Sequence, residues 1–287
     1  MITIYKKEMR TYFTNMVGYI FLAALLFLTG MWFTFDNVQM QHTNFHNVLG
    51  SVTIFFFILI PTLTMRLFSE EIRQKTDQLL FTSPLSVAGI VLGKFFAAFS
   101  LFLIGTIITI ALPLMLHNYG ELPVSLIVGS YIGFILLGAA CIAIGVFISV
   151  LTENQIIAAL ATMGAILLMF FMNEIARVTP TSIFTSFIFA LAVIGIVTAI
   201  WYNSTKNIIA SVTVGFIGII IAAVIYIVNG LLYDGLIVRV LMWFSVFVRF
   251  NNFFRGIVFL ADIVYYISFI ALFVYLTINV IEKRRWR

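Results

Sequence analysis

Long apolar runs separated by short polar stretches dominate this chain, and the lengths of those runs set the first prediction. A helix that crosses about 30 Å of hydrocarbon needs about 20 apolar residues. Runs at 17–35, 50–65, 95–116, 124–151, 155–172, 183–202, 208–228 and 263–281 meet or approach that length. They predict an all-α polytopic membrane protein with about eight transmembrane helices, forming a single transmembrane domain over 1–287. Six spans plus re-entrant segments is the alternative, if 183–228 dips into the bilayer and returns. Pro61 is expected to kink the second span near its inner end. The fourth run is rich in glycine (Gly129, Gly133, Gly138, Gly145), a composition that lets helices approach closely.

The polar stretches sort the ends of these spans. Residues 1–16 alternate Ile2, Ile4, Tyr5, Met9, Tyr12 and Phe13 with Lys6, Lys7, Glu8 and Arg10, which predicts a short helix lying in the cytoplasmic interface. The loop after the first run carries Asp36, His42, Asn44 and His46 but no Lys or Arg, as a loop on the outer side should. Thr152-Glu153-Asn154 reads as a tight inner turn, and Asn173, Glu174, Arg177 and Pro180 as an outer loop. Residues 229–258 spread Asn229, Asp234, Arg239, Arg249, Asn251, Asn252 and Arg255 among apolar neighbours, which is too polar for a simple span. An outer interfacial or re-entrant segment suits them better.

Composition agrees with the pattern. Of the 287 residues 63% are apolar and 9% charged, against about 25% charged in an ordinary globular domain. The net charge of +5 does not point to nucleic acid. Its Lys and Arg collect at the two ends (Lys6, Lys7, Arg10; Lys283, Arg284, Arg285, Arg287) and in one internal island, which predicts cytoplasmic termini in an inner or plasma membrane. The first apolar run is of span length and is followed by no small-residue cleavage site, so it reads as a transmembrane helix rather than a cleaved signal. Cys141 stands alone in an apolar run, so a disulfide or thiolate metal site cannot form within one chain.

The island is 65–94. Arg66, Glu70, Glu71, Arg73, Lys75 and Asp77 lie within about three helical turns, between two apolar runs. A helix is expected over 68–81, inside a cytoplasmic segment 66–84, with Phe68, Ile72, Leu79 and Leu80 near one face and Thr76 between them. Glu71 with Lys75 and Glu70 with Arg73 are spaced to pair along it. Pro84 stops the helix, and Ser86 caps the next one.

The residues Leu63-Thr-Met-Arg-Leu-Phe-Ser-Glu70-Glu71, Thr76, Leu79-Leu80, Thr82-Ser83-Pro84-Leu85-Ser86 and Val91-Leu92-Gly93-Lys94 resemble the signature of type-2 ABC transporter permeases, closest to the gliding-motility-type branch. The segment from Tyr5-Lys6-Lys7-Glu8-Met9-Arg10 to Gly18-Tyr19 is similar to that family's leading interfacial helix. Phe250-Asn-Asn-Phe-Phe-Arg255-Gly256, Asp262, Tyr265-Tyr266 and Glu282-Lys-Arg-Arg-Trp286 are similar to its C-terminal segment. Lys75 stands where that family commonly has Gly, Gln78 where it has Glu, and Met16 where it has Pro. The resemblance implies a permease subunit of an ATP-driven exporter in the cell membrane, paired with a second copy or a sibling permease. It also implies a coupling helix that contacts a separate ATPase subunit through Glu70, Glu71, Ile72, Arg73, Thr76, Leu79 and Leu80.

Other chemistries lack their residues. Gly89-Ile-Val-Leu-Gly93-Lys94 is one residue short of a phosphate loop, and no Ser or Thr follows the Lys, so ATP hydrolysis is expected on another polypeptide. The expected spans carry no ionisable residue near their middles, which disfavours a proton-coupled carrier. There is no HExxH and no serine-protease pattern, and the chain is not expected to be an enzyme. His42 and His46 are spaced to share a metal on a helix but read as solvated loop residues, and no cofactor is expected. The competing class is a membrane scaffold that transports nothing and recruits a soluble partner for signalling or envelope assembly.

Overall fold

The computed structural model describes residues 1–76, 86–116 and 122–285, all of them helical or in connections between helices. The order is α1 (Ile2–Thr14), α2 (Val17–Phe33) running on into a π-helical turn (Thr34–Gln39), α3 (His46–Thr53), α4 (Phe56–Thr64), α5 (Ser69–Arg73), α6 (Val87–Thr109), α7 (Ala111–Leu116), α8 (Val124–Leu151), α9 (Gln155–Val178), α10 (Ile183–Thr205), α11 (Ile208–Val228), a 3-10 turn (Gly230–Tyr233), α12 (Leu236–Phe244), α13 (Val246–Phe254) and α14 (Leu260–Arg285). Among the described residues seven helices are long and apolar enough to cross a membrane, and up to nine if each of two broken pairs counts as a span. The expected eight corresponds to counting His46–Thr64 as a crossing and Gly230–Phe254 as none. α10 and α11 are each long enough to cross alone, which favours eight over six.

The chain packs as two compact units, 1–170 with 246–287, and 171–245. The first is organised around α8, which α3, α4, α6, α13 and α14 all contact. The predicted role of its glycines holds. A Cβ at Gly133 would lie 2.5 Å from Phe253 Cβ, and one at Gly145 would lie 2.2 Å from Thr64 Oγ1, so only glycine admits these neighbours. Phe56, Phe102 and Phe134 close the centre, with ring centroids 4.9–5.7 Å apart. In the second unit α10 and α11 form a hairpin in which few side chains are buried. Lys206 adopts a left-handed conformation at the end of α10, and Asn207 caps α11 by accepting from the Ile209 and Ala210 amides.

Several boundaries depart from the sequence reading. The second span is broken at Ile54–Phe55, with a 64° bend, rather than at Pro61, which sits inside α4. Short i→i+3 bonds from Ile54, Phe55 and Ile58 tighten the helix at that joint and turn its axis. α6 begins at Val87, where Ser86 caps it as expected by accepting from the Gly89 amide at 3.2 Å, so the helix starts about two turns before the span expected from 95. Asn173, Glu174 and Arg177 lie in the last turns of α9 rather than in a loop. α1 forms as expected, but its Ile4–Glu8–Tyr12 stripe is buried against α6, and the Tyr12 hydroxyl donates to the Leu63 carbonyl at 2.9 Å.

The largest correction concerns the island. The expected helix over 68–81 ends at Arg73. Gln74, Lys75 and Thr76 close it with a paired cap, Thr76 N–H to Glu71 O at 3.0 Å and Lys75 N–H to Ile72 O at 3.1 Å, with Lys75 at φ 56°. Leu79 and Leu80, like Asp77, Gln78 and Pro84, lie outside the described residues.

Candidate functional site

The cap explains why the expected pairs do not form. Once Lys75 turns away, Glu71 faces inward and Glu70 faces back along the chain. Glu70 receives a two-pronged contact from Arg66, Nε to Oε2 at 3.0 Å and Nη2 to Oε1 at 3.2 Å, in place of the expected Arg73. Glu71, with 13% of its side chain exposed, meets Lys7 Nζ of α1 at 2.9 Å and Lys94 Nζ of α6 at 2.9 Å, in place of Lys75.

Lys94 is the centre of this cluster. It is 1% exposed, and its ammonium also meets Glu8 Oε1 at 2.9 Å, the Leu67 carbonyl, and the Phe68 ring, whose centroid is 4.9 Å away. An isolated buried ammonium is strongly disfavoured; two carboxylates, a carbonyl and an aromatic face together replace its water. Three segments are thereby joined at one point: Glu8 from α1, Glu71 from α5 and Lys94 from α6. Burial pushes the Glu71 carboxyl up, but the charges of Lys94 and Lys7 pull it further down, so it titrates below the ordinary carboxylate range. For Lys7 burial lowers the affinity for a proton and Glu71 raises it by more, which leaves the ammonium above its ordinary value.

A cavity of about 330 Å³ opens beside the cluster, lined by Lys7, Glu8, Arg66, Glu70, Glu71 and Gln74 among others. With Lys94 these residues carry three positive and three negative charges, so the wall is balanced and not an anion trap. Among the described residues no group of three His, Cys, Asp or Glu side chains is placed to hold a metal. What the arrangement does is mechanical: it fixes a short charged helix to two longer ones.

The predicted contact residues fall into two sets. Glu71 and Ile72 are taken into the protein's own packing, with Ile72 in the same core as Phe68 and Leu67. Arg73 is exposed, Glu70 and Thr76 are half-buried, and the exposed Gln74 and Lys75 lie between them. Sequence reasoning missed Glu8 and Lys94. Both left a trace: Glu8 occupies the middle of the apolar 4–8–12 stripe of α1, and Lys94 is the one charged residue of 86–116.

A second ion cluster ties α13 to α14. Arg249 Nη1 meets Asp262 Oδ1 at 2.8 Å, Asn252 Nδ2 donates to Asp262 Oδ2 at 2.7 Å, and the Arg249 guanidinium lies 4.1 Å from the centre of the Tyr265 ring. Tyr266 donates to the Val246 carbonyl at 2.7 Å, and Gly256 takes the positive φ of 72° that the turn between the two helices requires. Of the C-terminal residues singled out in the sequence, those between Phe250 and Tyr266 thus converge, apart from the exposed Asn251 and Arg255, whereas Glu282 to Arg285 belong to the other end of α14 and Trp286 is outside the described residues.

Comparison with family models, with curated proteins and with solved structures finds no match for this chain. The fold and its charged clusters therefore characterise it by themselves, as a polytopic all-helical membrane protein.

Proposed function

We propose that this protein is the permease subunit of an ATP-driven ABC exporter. In this reading it sits in the inner or plasma membrane with both termini in the cytoplasm, pairs with a second copy or a sibling permease, and is driven by a separate ATPase subunit. The observation that carries the reading is the Lys94 junction. A motor that pushes on a permease needs a small water-facing helix fixed to the spans it must move. α5 and the cap that follows it leave Arg73 exposed and Glu70 and Thr76 half-exposed, and α5 is anchored through Glu71 to both α1 and α6. The resemblance of 63–94 to the coupling segment of type-2 permeases supports the same assignment, as does the basic character of both ends.

The contact set narrows accordingly. Arg73, Glu70 and Thr76 are the partner-facing residues, Leu79 and Leu80 complete the surface on the resemblance alone, and Glu71 and Ile72 transmit rather than touch. The absence of a charged mid-span lining favours an amphipathic cargo such as a lipid or a hydrophobic peptide.

The test is purification of the full chain together with the product of a neighbouring gene that carries a phosphate loop and no spans, followed by an ATPase assay. Arg73→Glu with Lys75→Glu is expected to lower co-purification and to abolish stimulation of ATP hydrolysis while the permease stays monodisperse. Full stimulation in that variant would overturn the contact assignment. Capture of a soluble partner with no ATP turnover would favour the scaffold instead.

A further inference from the structure

An apolar groove in the second unit ends beside a cation that has no counter-ion among the described residues. The groove is bounded by Phe189 and Ile194 of α10, Gly218 and Ile225 of α11, and Leu236 and Val240 of α12, around a volume of about 580 Å³. That volume falls within the range of about 300–1,000 Å³ usual for small-molecule sites. From Gly218 to Val228, where α11 ends, the helix rises about 15 Å at 1.5 Å per residue. This is half of a hydrocarbon core of about 30 Å, so the groove has the depth of one leaflet. It lies at the end of the hairpin away from the Lys206–Asn207 turn.

A fold in the chain creates the groove. The 3-10 turn carries Tyr233 back onto the hairpin, where its hydroxyl donates to the Ala222 carbonyl at 3.0 Å and its ring meets Phe187 edge-on at 5.8 Å. Gly235 follows with φ 63° and donates its N–H to the Thr181 carbonyl at 3.1 Å. α12 therefore returns with Leu236 and Val240, one helical turn apart, along the groove. Tyr233 is the only described lining residue with a polar side-chain atom, and that atom is already paired.

The cation is Arg239, between those two residues of α12. A second cavity of about 410 Å³ is lined by Leu236, Arg239, Val240, Trp243 and Phe244, so it adjoins the first along Leu236 and Val240. Arg239 Nη2 donates to the Leu232 carbonyl at 3.3 Å and to the Asp234 carbonyl, which fixes the guanidinium at the rim. Its N–H groups on Nε and Nη1 are left for another acceptor. Among the described residues no ion pair includes Arg239, and neither cavity is lined by a carboxylate. Trp243 and Phe244 are exposed beside it, as aromatic residues are at the level of lipid headgroups.

The two parts of the site call for opposite halves of one molecule. The groove opens sideways at the exposed Val193 and Ile221 and offers no free polar atom to hold water, so it takes an alkyl chain. Arg239 takes a phosphate, the acceptor that guanidinium groups match best together with carboxylate. A zwitterionic headgroup would bring an ammonium to a rim that has no carboxylate for it. We infer that this groove holds one anionic phospholipid of the surrounding membrane, with its phosphate at Arg239 and one acyl chain along α10 and α11. The inference concerns a lipid of the membrane rather than a cargo, and it does not rest on the transporter reading.

The test places the full chain in vesicles of equal phosphatidylcholine, phosphatidylethanolamine and phosphatidylglycerol, extracts it in mild detergent and weighs it by native mass spectrometry. One phosphatidylglycerol per chain is expected to be retained, about fivefold or more over either zwitterionic lipid. Arg239→Gln should lower phosphatidylglycerol to the level of the other two. Ala190→Phe, which fills the groove from α10, should lower it by a similar factor, and Lys206→Gln, at the far end of the hairpin, should leave it unchanged. Equal retention of the three lipids by the parent protein, a result that needs no variant, would overturn the inference. Unchanged phosphatidylglycerol in a monodisperse Arg239→Gln or Ala190→Phe protein would do the same. So would an equal loss in Lys206→Gln, which would assign the preference to net charge rather than to this site.

Discussion

α8 and α11 are equally apolar, each with a mean hydropathy of 2.8 over its best stretch, yet 72% of one stretch is buried inside the protein and 11% of the other. Both satisfy the same bilayer, so hydropathy cannot be what separates them. The difference lies in what their small residues meet. Gly133 and Gly145 of α8 admit Phe253 and Thr64 from two different helices, whereas Gly215 and Gly218 of α11, although Cβ atoms there would lie 2.9 and 3.0 Å from Thr198 and Ile194, meet only its hairpin partner. Hydropathy reports that a helix tolerates lipid, and the spacing of small residues reports whether it also has protein neighbours. The packed unit also holds buried ions, Lys94 at 1% exposure among them.

The sharpest way to break this comparison is to remove one of those ions. Lys94→Met leaves Glu8 and Glu71 facing each other with only the largely exposed Lys7 as a shared cation, and a loss of about 3 kcal/mol is expected in thermal or denaturant unfolding of the purified protein. Adding Glu8→Gln and Glu71→Gln should recover much of it. A single variant as stable as the parent would mean that the cluster is solvated and the first unit less tightly packed than described.

Next in size is a glycine exchange made in both units. Gly133→Leu must displace Phe253 and should cost about 1–3 kcal/mol, while Gly195→Leu in α10, where a Cβ meets nothing within 4 Å, should stay within about 0.5 kcal/mol. Equal melting temperatures for the two variants would remove the basis of the contrast.

A gain of about 1 kcal/mol is expected from Lys75→Gly, since a residue with a Cβ is disfavoured by about 1–2 kcal/mol in the left-handed region. No change in the melting temperature would count against the cap at the end of α5.

The smallest effect concerns acid. Glu71 is held below the ordinary carboxylate range in the folded protein, so its contribution is complete above that range and is lost as the pH falls through the folded value. Glu71→Gln should flatten the acid limb of the stability profile and leave its neutral part displaced; an acid limb parallel to that of the parent would assign the acid sensitivity to another group.

Much of this was open to a reader of the sequence, because its causes are local. Span lengths, the Ser86 cap and the glycine spacing of 124–151 each depend on residues within one helix. The length of the island helix was not, because it is ended by a lysine in a conformation that glycine usually takes. The sequence did carry a hint, in that Lys75 stands where the resembled family commonly has Gly. The joint at Ile54–Phe55 was hidden behind the stronger local signal of Pro61. Glu8 and Lys94 are 86 positions apart, and their pairing depends on how α1 is laid against α6, which no local pattern fixes. The groove beside Arg239 was invisible for the same reason, since it exists only where Tyr233 folds the turn back onto α11.

The turn at Lys206–Asn207 has a consequence for how the chain can change over time. A helix stop and a helix start stand side by side there, so α10 and α11 form a closed excursion that leaves and regains the same face of the bilayer. Removing or duplicating 183–228 as a block would alter the number of crossings by two and leave the side on which the basic tail emerges unchanged. Loss of either helix alone would invert everything that follows.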